Sequence, residues 1–199
     1  MGGMINRLLV SCAALVLACC SDSSAPRQAP SKFRVQFQTS NGDFVVDVMR
    51  EWSPLGADHF YELVKANFFD GCRFFRIVPG FVVQFGLKGN PAVDAEWEKK
   101  VILDDPPGMS NLPATVSFAT RGPQSRTTQV FINLGNNARL DSMGFTPFGR
   151  VTDGMQVVAG FYSGYGERPD QNRLKSEGNG YLQASFPLLD YVKKATIVP

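Results

Sequence analysis

The chain has 199 residues, of which 44% are hydrophobic and 19% are charged, a composition typical of one globular domain with a sizeable core. Its formal net charge of +2 is too small to draw the protein to nucleic acid or to an anionic membrane surface. His59 is the single histidine, which excludes catalytic triads that need a histidine and metal sites built from several histidines. We therefore predict no nucleic-acid partner, no metal site and no cofactor.

The N-terminal segment has the pattern of an export signal. Arg7 precedes an apolar stretch over residues 8–18, which is too short to span a bilayer as a stable helix. This stretch runs into Cys19-Cys20 and resembles a bacterial lipobox, in which a cysteine after a small residue becomes the lipidated first residue of the mature protein. Cys19 fits this pattern best. Cys20 is one alternative, and a cleaved secretory peptide with incidental cysteines is another.

Two segments are therefore predicted before the globular part: a signal peptide over 1–18 and a disordered tether over 19–31. The tether is rich in Ser, Pro, Ala and Gln and lacks apolar periodicity. Lipidation at Cys19 would anchor the protein on the periplasmic side of a bacterial membrane, and the alternative is a soluble periplasmic or secreted protein. The globular part contains Cys72, which is interpreted as a small, partly buried residue rather than a reactive thiol.

The globular part begins with alternating apolar residues, which are typical of half-buried strands. Strands are predicted over 33–37 and 44–49, joined by a turn at Asn41-Gly42, because this dipeptide is a strong hairpin signal. Ser53-Pro54 is typical of a helix N-cap followed by the first helical residue. The apolar spacing that follows predicts a helix that ends near Asn67.

The rest of the chain is punctuated by glycine and proline between runs rich in Val, Ile, Thr and Phe, which favours many short strands. Further strands are predicted over 73–78, 81–85, 114–119, 130–134, 148–151 and 194–198, and a second helix over 153–161. Residues 86–109 are interpreted as a polar excursion. Within it, Asp104-Asp105 is interpreted as a solvated turn, with Ca²⁺ ligation as the alternative. His59 is expected on the exposed surface of the first helix.

One strand-like run places a permanently charged side chain among apolar residues. Between Phe74 and Gln84, Arg76 is flanked by Phe75 and Ile77, and a buried ion without a partner costs several kcal/mol. Arg76 must therefore reach solvent or serve a functional site. Because side chains at i and i+2 of a strand share a face, Phe74 and Arg76 are expected to point the same way.

These motifs resemble the active-site sequences of cyclophilin-type peptidyl-prolyl cis-trans isomerases. The resemblance rests on Phe74-Phe75-Arg76-Ile77-Val78-Pro79-Gly80-Phe81-Val82-Val83-Gln84, on Gly122-Pro123 and on Gln129-Val130-Phe131-Ile132. It assigns residues 32–199 to a cyclophilin-like domain, with an insertion over 163–189 in which 178–186 is predicted to be an added short helix. The family fold is a closed eight-stranded antiparallel β-barrel capped by two α-helices, so we predict a mainly β protein of this architecture.

The resemblance also implies roles for individual residues. Arg76 would donate to the nitrogen of the isomerising bond, and Gln84 and Gln129 would hydrogen-bond the substrate and orient the arginine. The backbone at Thr120 would hold the residue before the proline. The substrate-binding pocket and its rim would be formed by Phe81, Val82, Ala119, Thr120, Phe131, Leu140 and Phe145.

Four residues depart from the family pattern. Phe75 replaces a histidine, Val82 replaces a frequent methionine, and Phe145 replaces a pocket histidine. Arg139 stands where cyclosporin-binding eukaryotic members carry a tryptophan, which argues against tight cyclosporin binding.

We predict a monomeric isomerase that acts on X-Pro bonds of exported or unfolded proteins, so its expected partners are proline-containing polypeptides. The first alternative is a proline-peptide-binding chaperone module with little turnover, suggested by Phe75, Phe145 and the long insertion. The second is a ligand-holding barrel of the lipocalin type, which would not explain why Arg76 and Gln129 occur in these strands.

Overall fold

The structure of the protein is a computed structural model that describes residues 1–2 and 28–199. The predicted signal peptide beyond residue 2, the lipidation site at Cys19 and the tether up to residue 27 lie outside the described residues. Ala29 already packs into the apolar core, and its backbone N–H donates to Asp58 Oδ1 at 2.9 Å. The packed domain thus begins before the predicted boundary at residue 32. Within the described ranges, no helix is both long and apolar enough to cross a membrane.

Residues 28–199 form one antiparallel sheet of eight strands. The strands are β1 (Lys32–Thr39), β2 (Gly42–Met49), β3 (Arg76–Val78), β4 (Val82–Phe85), β5 (Thr115–Phe118), β6 (Val130–Asn133), β7 (Pro147–Asp153) and β8 (Val192–Val198). Their order across the sheet is β3-β4-β6-β5-β7-β2-β1-β8. The predicted eight-stranded antiparallel architecture is confirmed, although several strand ends differ from the predicted ones.

The sheet curls until its two edges meet. The edges are joined just before β3 and at the start of β8 by single backbone hydrogen bonds rather than by a ladder. The N–H of Gly71 donates to Val192 O at 2.8 Å, the N–H of Val192 donates to Cys72 O at 2.9 Å, and the N–H of Phe74 donates to Asp190 O at 3.0 Å. These bonds bring the edges of the curled sheet together.

Aromatic rings fill the inside of the barrel. The alternation on β1 buries Phe33, Val35 and Phe37, and the ring of Phe37 stacks on that of Phe44 at 4.8 Å. The other fully buried phenylalanines of this core are Phe60, Phe68, Phe69, Phe74, Phe85, Phe118 and Phe148. Such an interior holds side chains rather than a ligand, so it does not support the lipocalin-type alternative.

Five α-helices and two 3₁₀ turns accompany the sheet in the described part of the chain. The helices are α1 (Pro54–Lys65), α2 (Pro91–Glu98), α3 (Met155–Ala159), α4 (Gln171–Glu177) and α5 (Asn179–Ser185), and the 3₁₀ turns are Arg50–Trp52 and Ala138–Met143. α1 and α3 correspond to the two predicted helices, and α5 to the short helix predicted over 178–186. The sequence interpretation missed α2 and α4.

The segment interpreted as a polar excursion contains α2. Asn90 Oδ1 accepts the backbone N–H groups of Ala92 and Val93 at 3.2 and 3.3 Å, and Pro91 is the first helical residue. This is the combination of polar cap and proline by which α1 was predicted. α2 was missed because it lacks a clear apolar face: the side chain that it buries is Asp94.

The prediction for His59 is wrong because α2 covers that side of α1. His59 is buried, with its ring 5.9 Å from that of Trp97 on α2 and 5.8 Å from that of Phe118. Burial lowers the pKa of His59 to about 4, so the ring is neutral at physiological pH.

Asp105, placed in a solvated turn by the sequence interpretation, is instead buried and holds the start of α1. Its Oδ1 accepts the N–H of Leu55 and its Oδ2 the N–H of Gly56, both at 2.9 Å. Ser53 makes no capping bond to α1, and its hydroxyl donates to Asp105. The predicted serine cap is therefore replaced by a carboxylate distant in sequence. In the described ranges, no group of three or more His, Cys, Asp or Glu side chains is placed to hold a metal ion.

Residues 163–189 form a second apolar cluster outside the barrel. α4 and α5 pack against Phe75 and Leu87, and we call this cluster the insertion core: Phe75, Leu87, Leu174, Tyr181, Leu182 and Leu189. Phe75 is 1% exposed. The insertion is thus a packed part of the domain, and Phe75 is one of its contacts with the barrel.

Cys72 lies where the barrel edges meet. Its side chain is fully buried, with Sγ 3.4 Å from the backbone oxygen of Phe68, and burial raises the pKa of the thiol. Cys72 is thus more deeply buried than expected and is held in the protonated, unreactive form.

Candidate active site

The β3–β4 hairpin places the arginine of the motif beside a glutamine. Arg76 is opposite Gln84 in the antiparallel register. In the connecting turn, the N–H of Phe81 donates to Val78 O at 2.9 Å, and Gly80 adopts a left-handed φ of +73° that favours glycine. This short turn fixes the two polar side chains next to each other.

The residues before Arg76 do not continue its strand. β3 begins at Arg76, and the expectation that Phe74 and Arg76 share a face is wrong. Phe74 packs in the barrel core, Phe75 packs in the insertion core, and the Arg76 side chain is 26% exposed. Three consecutive side chains therefore enter three different environments.

A chain of hydrogen bonds orients the guanidinium of Arg76. Its Nη1 donates to Gln84 Oε1 at 3.1 Å, and Gln84 Nε2 donates to Gln129 Oε1 at 2.7 Å. Gln84 is 7% exposed, so its amide is shielded from competing water. The predicted catalytic residues Arg76, Gln84 and Gln129 are thus in contact in this order.

A pocket of about 160 Å³ opens beside Arg76. It is lined by Arg76, Phe81, Val82, Gln84, Ala119, Thr120, Phe131, Leu140 and Phe145. Val82, Phe131 and Leu140 form its buried apolar floor, with Phe81, Ala119 and Phe145 packed against them. The ring of Phe145 meets that of Phe131 edge to face at 5.6 Å. All the predicted pocket residues therefore surround one cavity, which is small and apolar and has a single charged side chain at its wall.

A larger pocket of about 360 Å³ adjoins the first. It shares Gln84, Ala119 and Thr120 with it, and its further walls include Gln129 and, from α2, Glu98. Gln129 thus lies in the adjoining pocket rather than in the apolar one. The two pockets are therefore continuous through these three shared residues.

The loop that carries Leu140 and Phe145 is held by Asp141. Its carboxylate accepts the N–H of Asn111 at 2.9 Å, the Asn111 Nδ2 at 2.8 Å and the Ser110 hydroxyl at 2.5 Å. Although burial alone would raise the pKa of Asp141, these hydrogen bonds outweigh it and hold the pKa below its usual value. Asp141 therefore fixes the loop that contributes Leu140 and Phe145 to the apolar pocket.

A family model described as cyclophilin type peptidyl-prolyl cis-trans isomerase/CLD matches residues 34–176. The chain belongs to the cyclophilin family. It is similar to peptidyl-prolyl cis-trans isomerase A of Dickeya dadantii, with 32% identity over 65% of this chain and 71% of the relative. It is also 30% identical to a peptidyl-prolyl cis-trans isomerase of Acinetobacter baylyi, over 62% of this chain and 69% of the relative.

The cyclophilin fold is confirmed by a solved structure. The crystal structure of a cyclophilin type peptidyl-prolyl cis-trans isomerase from Cryptosporidium parvum superposes with a TM-score of 0.61, at 18% identity, over 84% of this chain and 98% of that chain. This cyclophilin is therefore a peptidyl-prolyl cis-trans isomerase that acts on X-Pro bonds, as the motifs predicted.

Three contacts at the cyclophilin site were missed by sequence reasoning. Arg139, noted only as a replacement for tryptophan, lies with its Cζ 4.9 Å from the centre of the Phe81 ring, and Arg76 Cζ lies 5.5 Å from the same centre. Glu167 of the insertion forms an ion pair with Arg76, with Oε1 2.7 Å from Nε and 2.5 Å from Nη2. No local pattern signals a pair whose partners are 91 residues apart.

Proposed function

We propose that the enzyme isomerises X-Pro bonds by donating a hydrogen bond from Arg76 to the amide nitrogen while the proline ring sits in the apolar pocket. The uncatalysed barrier of about 18–20 kcal/mol arises from the loss of amide resonance as the bond twists. In the twisted state the nitrogen regains a lone pair, which the planar ground state lacks. A donor fixed near this nitrogen therefore stabilises the transition state selectively.

The observation that carries this mechanism is the arginine–glutamine–glutamine chain at the wall of the apolar pocket. Guanidinium remains protonated at any physiological pH and presents its N–H groups in a rigid plane. Gln84 accepts one of these N–H groups and is itself held by Gln129, so the plane is oriented before substrate binds. The apolar wall of Val82, Phe131 and Leu140 suits a pyrrolidine ring.

One of the arguments for the alternative function, a proline-peptide-binding module with little turnover, is weakened by the position of Phe75. Phe75 is buried in the insertion core and does not line the pocket, so it is not one of the groups that face the proline. Phe145 does line the pocket, where it adds apolar surface and removes a polar group. A protease-coupled assay of a proline-containing peptide tests the two functions directly: peptide binding without faster isomerisation would support the binding module.

Replacing Phe131 by alanine tests the pocket. Phe131 is 5% exposed and forms part of the floor, so Phe131→Ala should weaken proline-peptide binding and turnover, and lower stability by about 3 kcal/mol. Binding is measured by titration calorimetry well below the melting temperature. Phe161→Ala is the matched control, because Phe161 is equally buried but stacks on Phe74 in the barrel core. It should lose stability and keep its peptide affinity. Equal affinities of Phe131→Ala and wild type would remove Phe131 from the binding site.

We further propose that the protein acts on exported proteins from a lipid anchor at Cys19. The support is the sequence pattern alone: a short apolar stretch after Arg7, followed by the lipobox-like cysteine and a segment rich in Ser and Pro. Two or three acyl chains would anchor the protein stably, because each buried CH₂ contributes about 0.8 kcal/mol whereas a single chain binds only marginally.

Cys19→Ser should move the protein from the membrane fraction to the soluble or unprocessed pool while its isomerase activity is unchanged. Fractionation followed by immunoblotting measures the shift, and Cys72→Ser controls for the loss of a thiol that lies in the domain. Mass spectrometry of the wild-type N-terminus provides the opposing test. An unmodified residue beyond Cys20 would establish simple secretion instead.

A further inference from the structure

The guanidinium of Arg76 has two partners, and they come from different parts of the chain. Gln84 is its neighbour across the β3–β4 hairpin. Glu167 belongs to the insertion, which packs against the barrel through its own apolar core. The side chain of Glu167 is 62% exposed and that of Arg76 is 26% exposed, so the ion pair lies at the surface, beside the pocket that Arg76 lines.

We propose that Glu167 is a positioning residue for Arg76, by which the insertion takes part in the isomerase site. This inference rests on the proposed role of Arg76 as hydrogen-bond donor. Glu167 does not touch the substrate in this proposal. It holds the guanidinium plane at the edge opposite to the one that Gln84 holds.

A count of N–H groups shows that the ion pair leaves donors free. Guanidinium has five N–H groups, one on Nε and two on each Nη. Glu167 Oε1 accepts the Nε–H and lies 2.5 Å from Nη2, where it can engage at most one N–H, and Gln84 takes one N–H of Nη1. One N–H on each of Nη1 and Nη2 therefore remains for a substrate. The two partners restrain the plane from both sides and leave an N–H group on each of the two Nη atoms.

The backbone around Glu167 is itself tied to the strand that carries Arg76. The N–H of Ile77, the residue after Arg76, donates to Gly166 O at 3.3 Å. Arg168 closes the loop on itself, with its Nη2 donating to Gly164 O at 2.9 Å. Glu167 thus lies between two residues whose positions are fixed by hydrogen bonds, and it is not a loop side chain that meets the arginine by chance.

Positioning by Glu167 should be visible in turnover rather than in binding. Glu167→Gln and Glu167→Ala should lower kcat about threefold to fivefold, since an exposed ion pair contributes modestly. The KM for a proline peptide should stay within about twofold, because the residue does not contact the substrate. Glu177→Gln is the matched control: Glu177 lies on the same insertion and pairs with Arg173 on the surface, with Nε–Oε1 at 2.6 Å. It should leave kcat unchanged.

The dependence of kcat on salt distinguishes positioning from a purely structural role, which would not change kcat in this way. High salt weakens exposed ion pairs, so at about 1 M NaCl wild-type kcat should fall towards that of Glu167→Gln, whose own kcat should be insensitive to salt. Because glutamine is isosteric, Glu167→Gln keeps the test valid even if the alanine variant does not fold. Unchanged or increased kcat in a folded Glu167→Gln enzyme would overturn the proposal, and an increase would show that Glu167 masks Arg76.

The Arg76→Ala background separates this proposal from the one on which it rests. If Glu167 acts through Arg76, Glu167→Gln should have no further effect on kcat in Arg76→Ala enzyme. A large effect of Arg76→Ala together with no effect of Glu167→Gln in the wild-type background would refute the positioning role of Glu167 and leave the role of Arg76 standing. No effect of Arg76→Ala would instead refute the role of Arg76.

Discussion

Arg76→Ala should lower turnover about a hundredfold, the loss expected when one donor to a transition state is removed. The enzyme should still fold, because the Arg76 side chain lies at the wall of the pocket, partly exposed, and not in either apolar core. The protease-coupled proline-isomer assay measures turnover, and circular dichroism with thermal unfolding checks the fold.

Arg76→Lys is the matched variant, because lysine keeps the positive charge but lacks the planar fork that Gln84 and Glu167 hold from two sides. If oriented donation matters more than charge, the lysine enzyme should be much closer to Arg76→Ala than to wild type. Full activity of a folded Arg76→Ala enzyme would exclude the arginine from the mechanism.

Asp105→Ala should destabilise the domain by about 3–5 kcal/mol, the cost of leaving a buried charge without its partner. Asp105 Oδ2 lies 3.0 Å from Nη1 of the buried Arg126 and pairs with its charge. The same carboxylate accepts the N–H groups of Leu55 and Gly56 at the start of α1. The substitution therefore leaves the buried Arg126 without its carboxylate partner and removes two hydrogen bonds from the first turn of α1. Urea unfolding monitored by tryptophan fluorescence gives the free energy of unfolding.

The neighbouring carboxylate offers a control within the same turn. Asp104 is 31% exposed and lies 3.5 Å from Arg126 Nε, so Asp104→Ala should cost about 1 kcal/mol or less. Equal losses for the two variants would show that the turn as a whole, and not the buried carboxylate, stabilises α1.

Local signals predicted much of this fold. The period-2 alternation and Asn41-Gly42 identified the β1–β2 hairpin, whose register pairs Phe37 with Phe44. Ser53-Pro54 identified the start of α1. The run from Phe74 to Gln84 pointed to a site because an arginine among apolar residues needs a physical reason, whereas the residues that line the pocket were named from the resemblance to cyclophilins.

Several of the errors involve partners that are distant in sequence. Asp105 looks like part of a solvated turn until Arg126 and α1 enclose it. His59 looks exposed until α2 covers it. Glu167 lies in the insertion, for which the resemblance offered no counterpart. In each case the role of a polar residue depends on a contact with a residue distant in sequence, and no local pattern predicts such a contact.

The insertion core has a consequence for attempts to trim this enzyme. Phe75 and Leu87 belong to the main body of the domain, but the residues that cover them come from 163–189. A shortened version that joined α3 directly to β8 would expose both side chains to water next to the site. Such a minimal enzyme would need polar residues at positions 75 and 87 to remain soluble, and a new partner for Arg76 in place of the lost carboxylate.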